Sequence, residues 1–404
     1  MPFKAAISGL EASSTELNAI GNNIANAATT GFKRSRVEFQ DVFAVSSTGA
    51  SATATGRGVD TARVAQQFEQ GNISFTDNAL DLAISGEGFF MLDNDGERIY
   101  SRDGAFGVDR DGYVTNSNGN RLMAFGADAA GNINGALGSL HLSQANNPPS
   151  ATTAVSIGAN FDADATPPPV AVFNPTDANT YNETTALNVF DSQGGSHLMQ
   201  MYFVRSAATN TWDMHAYVDG TAVGGANSLV FDGAGLLTSP ASGQITLPAF
   251  TPAAGVNAMN VNVTLTDSTM FGAPFGVSEL TQDGYTTGRL AGIDIDSEGV
   301  ILARFTNGQS AVQGQVALAN FANPQGLRPL GGNGWSQTFA AGEVLEGRPG
   351  TASLGLIQGG ALEDSNVDLS QELVALIIAQ RNFQANTEVI STADAVTQSI
   401  INIR

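Results

Sequence analysis

The side chains that could do chemistry are few and scattered. Three histidines occur, His141, His197 and His215. Residues 197–204 and 211–218 alternate like the two arms of a hairpin. In that hairpin His197 pairs near Val218 and His215 near Gln200, so the rings are not opposite and share no metal. Both read as polar strand positions. Asp294-Ile-Asp296-Ser-Glu298-Gly299 has the spacing of the first half of a calcium loop, but its twelfth position is Phe305, which cannot ligate. The run also lies in a strand–turn–strand pattern. Asp93, Asp95 and Glu97 mark a hairpin turn, where Asp and Asn serve the backbone. There is no G-x-S-x-G, phosphate loop or H-E-x-x-H. With Cys 0, no thiolate nucleophile, thiolate metal site or disulfide exists. The expectation is a protein with no catalytic residues, no cofactor and no metal, and so not an enzyme.

Composition points the same way. The chain has 404 residues with 42% hydrophobic content, enough for a sizeable core and two to four domains. Only 14% is charged, against the usual ~25%. The 17 basic and 38 acidic residues leave a net charge of -21. Nucleic acid and anionic membranes both need clustered Lys and Arg, so neither is an expected partner. The longest apolar run, Leu373–Ala379, is far short of the ~20 residues that span a bilayer. Glu11 and Glu16 interrupt any cleavable leader after Lys4. The expectation is therefore a cytoplasmic chain, or one exported with its N-terminus intact.

Two helices at the chain ends are the elements most able to organise the rest. From Asp368 to Arg404 there is no Gly and no Pro. Asp368 can cap this helix, with Gln371 three residues on. Leu369, Leu373, Leu376, Phe383, Ile390 and Ile401 fall at coiled-coil spacing. Gln380, Thr387, Asp394 and Thr397 fill the seam between them. Residues 2–28 are the natural partner, with seam positions Phe3, Ile7, Leu10, Leu17 and Ile24. Ser14 and Gly21 complete that row. Outside the seam both helices carry mainly Gln, Asn, Ser, Thr and Ala. A helix bathed in water usually shows more Lys and Glu. The spacing therefore predicts helices packed on several sides, with the further partners coming from other chains.

Between the ends the pattern is β. Leu80, Leu82 and Ile84 alternate with polar or small residues. Phe89–Leu92 and Arg98–Arg102 flank Asn94-Asp95-Gly96, a strong hairpin signal. Asp103-Gly104, Asp111-Gly112 and Asn118-Gly119 repeat the device. Pro148-Pro149 and Pro167-Pro168-Pro169 mark boundaries. The fold class is α+β, mainly β: paired terminal helices, coiled-coil-like, plus two antiparallel β domains nested in the chain. The helical domain is 1–28 with 366–404, and 29–70 is an extended connecting region. Residues 71–147 with 279–365 form an inner β domain, into which an outer one, 148–278, is inserted. Lys33, Arg34 and Arg36 make a small basic cluster, read as solvated surface or as a charge contact with an acidic neighbouring subunit. Phe39 and Phe43 read as one face of a short packed helix.

Ile20-Gly-Asn-Asn-Ile-Ala-Asn26 followed by Thr30-Gly-Phe-Lys33 resembles the N-terminal signature of bacterial flagellar rod and hook proteins. Asn22, Asn23, Asn26, Gly31 and Phe32 are its characteristic residues here. Phe68–Phe90 and Tyr100–Phe106 resemble the first β domain of hook and distal-rod proteins. Phe190–Val204 resembles the outer domain of hook proteins in particular. The resemblance implies a structural subunit that polymerises with itself into a curved flexible tube, coupling rod to filament as a universal joint. It implies a rod protein, a hook cap, a hook–filament junction protein and the flagellar export apparatus as partners. It also implies an extracellular location reached by type III export without a cleaved leader, with Phe39 and Phe43 as an export signal. A distal rod subunit is the alternative within the family, which the outer domain disfavours. A secreted β-sandwich adhesin or binding module is the alternative from another class, and would need neither terminal helix.

Overall fold

A computed structural model describes residues 2–42, 56–128 and 130–402. Two compact units appear: Met1–Gln144 with Gly292–Arg304 and Ser310–Arg404, and Ala145–Ala291 with Phe305–Gln309. The outer unit reaches past residue 278 because the strand Gly276–Gln282 runs antiparallel along Ala154–Asp162, inside that unit.

In the first unit, helix α1 spans Pro2–Ala25. Strands β1 (Ser35–Asp41) and β2 (Val59–Gln66) form an antiparallel ladder with a bulge at Glu38/Phe39. The segment expected as an extended connector is thus largely a hairpin, and Phe39 lies in a strand rather than a short helix. The hairpin rests on α1, where Val59 N–H donates to Ser8 Oγ at 3.2 Å. Phe43 lies outside the described residues. Helix α2 spans Leu369–Asn402, 34 residues, about 51 Å at ~1.5 Å per residue. Asp368 caps it, accepting from Ser370 N–H at 2.8 Å and Gln371 N–H at 3.2 Å.

The sheet of this unit runs through Ser310–Val316, Arg121–Ala127, Phe89–Asn94, Glu97–Ser101 and Gly334–Ser336. Phe89–Asn94 is buried on both faces, so its side chains divide alternately between two cores. Phe90 and Leu92 join Leu82, Ile84, Leu122 and Val316, while Phe89 and Met91 join Tyr100, Phe321 and Trp335. The Asn94-Asp95-Gly96 signal closes a two-residue turn with positive φ at Asp95 and Gly96, as the hairpin's twist demands.

The outer unit holds two sheets. One contains Glu183–Phe190, Ser196–Arg205, Thr211–Val218, Asn227–Phe231 and Leu237–Ser239. The other is built on Ala154–Asp162, whose neighbours Asn262–Thr264 and Thr269–Phe271 run parallel to it. The expectation of wholly antiparallel domains fails at this strand. Its two parallel neighbours follow one another along the strand, and the chain reaches them by a long connection rather than a tight turn. Trp212, Phe161, Phe203, Met199, Met201 and Val261 fill the core between the sheets, wholly buried.

Many turns share one device. Asp109, Asn116, Asp128, Asp191, Asp232 and Asp296 each accept, at Oδ1, the N–H groups two and four residues ahead. Each has Gly three residues ahead at positive φ. The side chain replaces missing backbone partners, and Gly supplies the left-handed residue. Asp296 Oδ1 is thereby committed to Glu298 and Val300 N–H, and Asp294 pairs with Arg304. The calcium-like spacing is turn chemistry.

Candidate functional site

The helices run antiparallel. Asn23 meets Glu372, and a Cβ on Gly9 would lie 2.7 Å from Asn386 Oδ1. Moving along α1 from residue 23 back to residue 9 moves the facing position on α2 forward from 372 to 386. The buried or half-buried rows are Ala6, Leu10, Ser13, Leu17, Ile20 and Ile24 on α1, and Glu372, Leu376, Ala379, Phe383, Asn386 and Ile390 on α2. Leu10, Leu17, Ile24, Leu376, Phe383 and Ile390 thus lie where the spacing put them. The other expected row is displaced by one residue on both helices. Ile7 gives way to Ala6 and Leu373 to Glu372; Phe3, Ile7, Leu369 and Leu373 are 38–50% exposed. Small residues explain the displacement. Ala6, Gly9, Ser13 and Ala379 let the backbones approach, whereas Ile7 and Leu373 in the same row would hold them apart.

The outer face of α2 is correspondingly less bland than expected. Leu369, Leu373, Val374, Ile377 and Ile378, spaced by four, one, three and one residues, are all about half exposed. Val389, Val396 and Ile401 extend the exposure toward the C-terminal end. Phe3, Val389, Ala393 and Val396 line an open groove there. Such a contiguous apolar stripe on a water-facing helix marks an interaction surface.

Beneath the pair lies a buried charged junction. Glu363 is wholly buried and accepts from Lys33 Nζ at 2.6 Å and Arg102 Nη1 at 3.1 Å. Gly71 N–H donates to its Oε1 at 2.8 Å, and Gly31 N–H to its carbonyl at 2.8 Å. Lys33 Nζ also donates to the Glu69 carbonyl at 2.8 Å. Burial pulls the lysine below its ordinary range, Glu363 opposes that, and Arg102 adds to it. Arg102 continues to the Gly86 carbonyl and stands over the Phe89 ring. One carboxylate therefore gathers the loop after α1, the segment after β2, the β domain and the strand leading to α2. The basic cluster is neither solvated nor turned to a neighbour as a unit. Lys33 is wholly buried, Arg34 faces Glu372 at 3.7 Å, and Arg36 pairs with Glu38 on the surface.

The signature residues build the same junction. Asn23, at the end of α1, accepts from Ser35 N–H at 2.9 Å and donates to the Ser35 carbonyl at 2.8 Å. It donates to Glu372 Oε2 as well, at 3.3 Å. Asn26 Nδ2 donates to the carbonyl of Asn22 at 2.9 Å and its Oδ1 at 3.0 Å, and Asn26 Oδ1 accepts from Thr29 at 3.1 Å. These bonds close the helix end. Gly31 has φ +68°, and a Cβ there would lie 2.4 Å from Asp103 N, so only glycine fits. Phe32 is half-buried beside a cavity of about 300 Å³, with Asn22, Asn26, Lys33, Gln66 and Trp335 around it. Phe39 is 39% exposed and borders a shallow groove with Gly9, Ala12 and Asn386.

Glu363, Arg102 and Asn366 escaped the sequence reading. Asn366 accepts from Arg34 N–H at 2.7 Å and donates to the Gln67 and Glu69 carbonyls. No local pattern pairs Lys33 with a carboxylate 330 residues away. His197 escaped too. The hairpin pairs Met199 with Val218 and Tyr202 with His215, two residues off the expected register. The ladder extends to Arg205 and Trp212, which shifts the pairing by two and keeps every side chain on its face. His197 thus passes beyond Val218 and meets Asp219.

Four family models match successive stretches: flagella basal body rod protein at residues 3–33, flagellar hook protein FlgE/F/G D1 domain at 83–160, flagellar basal body protein FlaE D2 domain at 160–285, and flagellar basal body rod FlgEFG protein C-terminal at 358–403. The chain is 36% identical to the flagellar hook protein FlgE of Escherichia coli (strain K12), over the full length of both. It is 33% identical to that of Rhizobium meliloti, over 100% of this chain and 98% of the relative. The crystal structure of Helicobacter pylori flagellar hook protein FlgE2 shares the fold, with a TM-score of 0.53 at 16% identity, covering 72% of this chain and 100% of that one. The chain belongs to the flagellar hook protein family.

Proposed function

We propose that this chain is the structural subunit of the flagellar hook. Copies polymerise through α1 and α2 into a curved, flexible tube that couples rod to filament as a universal joint. The observation that carries this reading is the half-exposed apolar stripe Leu369, Leu373, Val374, Ile377 and Ile378, left uncovered by the intramolecular seam. Covering each large apolar side chain contributes roughly 1.5–3 kcal/mol. Head-to-tail contacts whose rotation does not close yield a helical polymer rather than a ring. Phe3, Ile7, Leu369 and Leu373 belong in this scheme to contacts between copies. Leu10, Leu17, Ile24, Leu376, Phe383 and Ile390 hold each pair together. The protein acts by assembly and not by catalysis. It leaves the cell uncleaved through the flagellar export apparatus, with Phe39 and Phe43 as the export signal. Outside the cell it meets the rod protein, the hook cap and the hook–filament junction protein.

Negative-stain images of concentrated protein test the reading: curved tubes support it, straight rods indicate a rod subunit, and monodisperse particles overturn it. Removing residues 1–28 and 366–404 should give a soluble β protein that no longer polymerises. Tubes from that truncated chain would sink the role given to the helices.

A further inference from the structure

His197 stands at the start of the strand Ser196–Arg205 with a carboxylate at each ring nitrogen. Nδ1 lies 2.6 Å from Asp219 Oδ2, and Nε2 lies 3.1 Å from Asp191 Oδ2. The ring and Asp191 are nearly buried, whereas Asp219 is about half exposed. Each carboxylate also holds a turn. Asp191 Oδ1 accepts from Gln193 and Gly195 N–H, both at 2.8 Å. Asp219 Oδ1 accepts from Leu198 N–H at 2.9 Å, and Asp219 and Gly220 both have positive φ. The first turn reaches further within the unit. Gln193 Nε2 donates to the Gly255 carbonyl at 3.0 Å, and Asn257 N–H donates to Ser192 Oγ at 3.1 Å.

A neutral imidazole has one N–H and one lone pair; only imidazolium donates from both nitrogens. A neutral ring here would turn its lone pair on one of the two carboxylates, which costs most at the nearly buried Asp191. Among the described residues, Asp191 and Asp219 are the charged groups joined to this ring by hydrogen bond or ion pair. His215 is a contrast: its ring stacks on Phe173 at 4.0 Å, and burial holds it below the ordinary histidine range.

We propose that His197 is a proton-operated clamp, which as imidazolium ties the turn at 191–195 to the turn at Asp219–Gly220 and lets them part when it loses its proton. Burial alone would lower the ring's affinity for a proton. The hydrogen bonds to Asp219 and Asp191 outweigh it and hold His197 above its ordinary range. The clamp is therefore complete below the ordinary histidine range and is lost as pH rises through the raised value. Asp219 is held low by its bond to His197. Asp191 is held low, against its burial, by His197 and the Gly195 and Gln193 N–H groups. Their contribution is present above the ordinary carboxylate range and fades as pH falls through the lowered values. The clamp is closed between those limits and opens as pH rises through the raised value of His197.

The clamp does not depend on assembly, so full-length monomer suffices to test it. Proton–nitrogen correlation spectra of histidine-labelled protein, from acid to alkaline pH, read both ring nitrogens directly. The expected result is that His197 keeps two N–H groups to a higher pH than in the urea-unfolded chain. Hydrogen-exchange protection of the Gln193, Gly195 and Leu198 amides should fall severalfold through the same titration. In Asp219→Asn both events should move to lower pH, and in His197→Gln the protection should not vary across that range. Titration at or below the unfolded value, or protection that stays level while His197 titrates, would overturn the clamp. The wild-type measurement decides the question even where a variant fails to fold.

Discussion

In the outer unit, Trp212, Phe161 and Phe203 are wholly buried, whereas along α2 Leu373, Ile377 and Ile378 are each about half exposed. Both regions use large apolar side chains, so the difference lies in what each region can enclose. Two sheets face to face can bury one whole side of each. Two helices side by side cover only one stripe of each other, and the 34-residue α2 has much surface to leave in water. The outer unit is finished as a single chain. The helix pair keeps an apolar face that the single chain does not cover.

Several substitutions would break or sharpen that contrast. The largest loss of monomer stability is expected at the junction that holds the pair. Glu363→Gln leaves Lys33 and Arg102 buried without their carboxylate, at a cost of about 3–5 kcal/mol. Urea denaturation measures it, and adding Lys33→Met should recover part of the loss. No recovery would mean that the pair is not energetically coupled. Phe203→Ala opens the sealed outer core and should cost about 3–5 kcal/mol, with tube formation retained wherever the unit still folds. Gly31→Ala forces a left-handed residue against Asp103 and should cost at least ~1–2 kcal/mol from handedness alone. A melting temperature equal to wild type would show that the turn can rearrange. Leu376→Asp places a charge in the half-buried seam and should abolish assembly while leaving the β-sheet circular dichroism intact. The smallest effect on the monomer belongs to Ile377→Ser, within about 0.5 kcal/mol, as for other surface positions. Yet it should strongly reduce polymerisation, read by sedimentation. Normal tubes from Ile377→Ser would remove this stripe from the contact between copies.

Much of the fold was legible in the residues. The Asp/Asn-x-x-Gly turns announce their hairpins because one side chain and one glycine satisfy the local backbone. Asp368 marks the start of α2 for the same local reason. The helix seam was half legible. Spacing located Leu10, Leu17, Leu376 and Phe383, but it favours large side chains and so passed over Ala6, Ser13 and Ala379. Close approach of two backbones depends on where side chains are small, which a search for apolar periodicity does not weigh. The junction was not legible. Lys33 looks like any member of a surface basic cluster until the fold brings Glu363 and Arg102 to it from distant segments.

Sequence alone determined that long, weakly charged helices stand at both ends of the chain and that hairpins fill the middle. Those properties follow from periodicity, turn chemistry and composition, which act over a few residues. Tertiary structure decided which face of each helix turns inward, which cations share Glu363, and that His197 lies between two aspartates. Those outcomes depend on register and close packing, where a shift of one or two residues changes every partner, and no local stretch of chain carries that information.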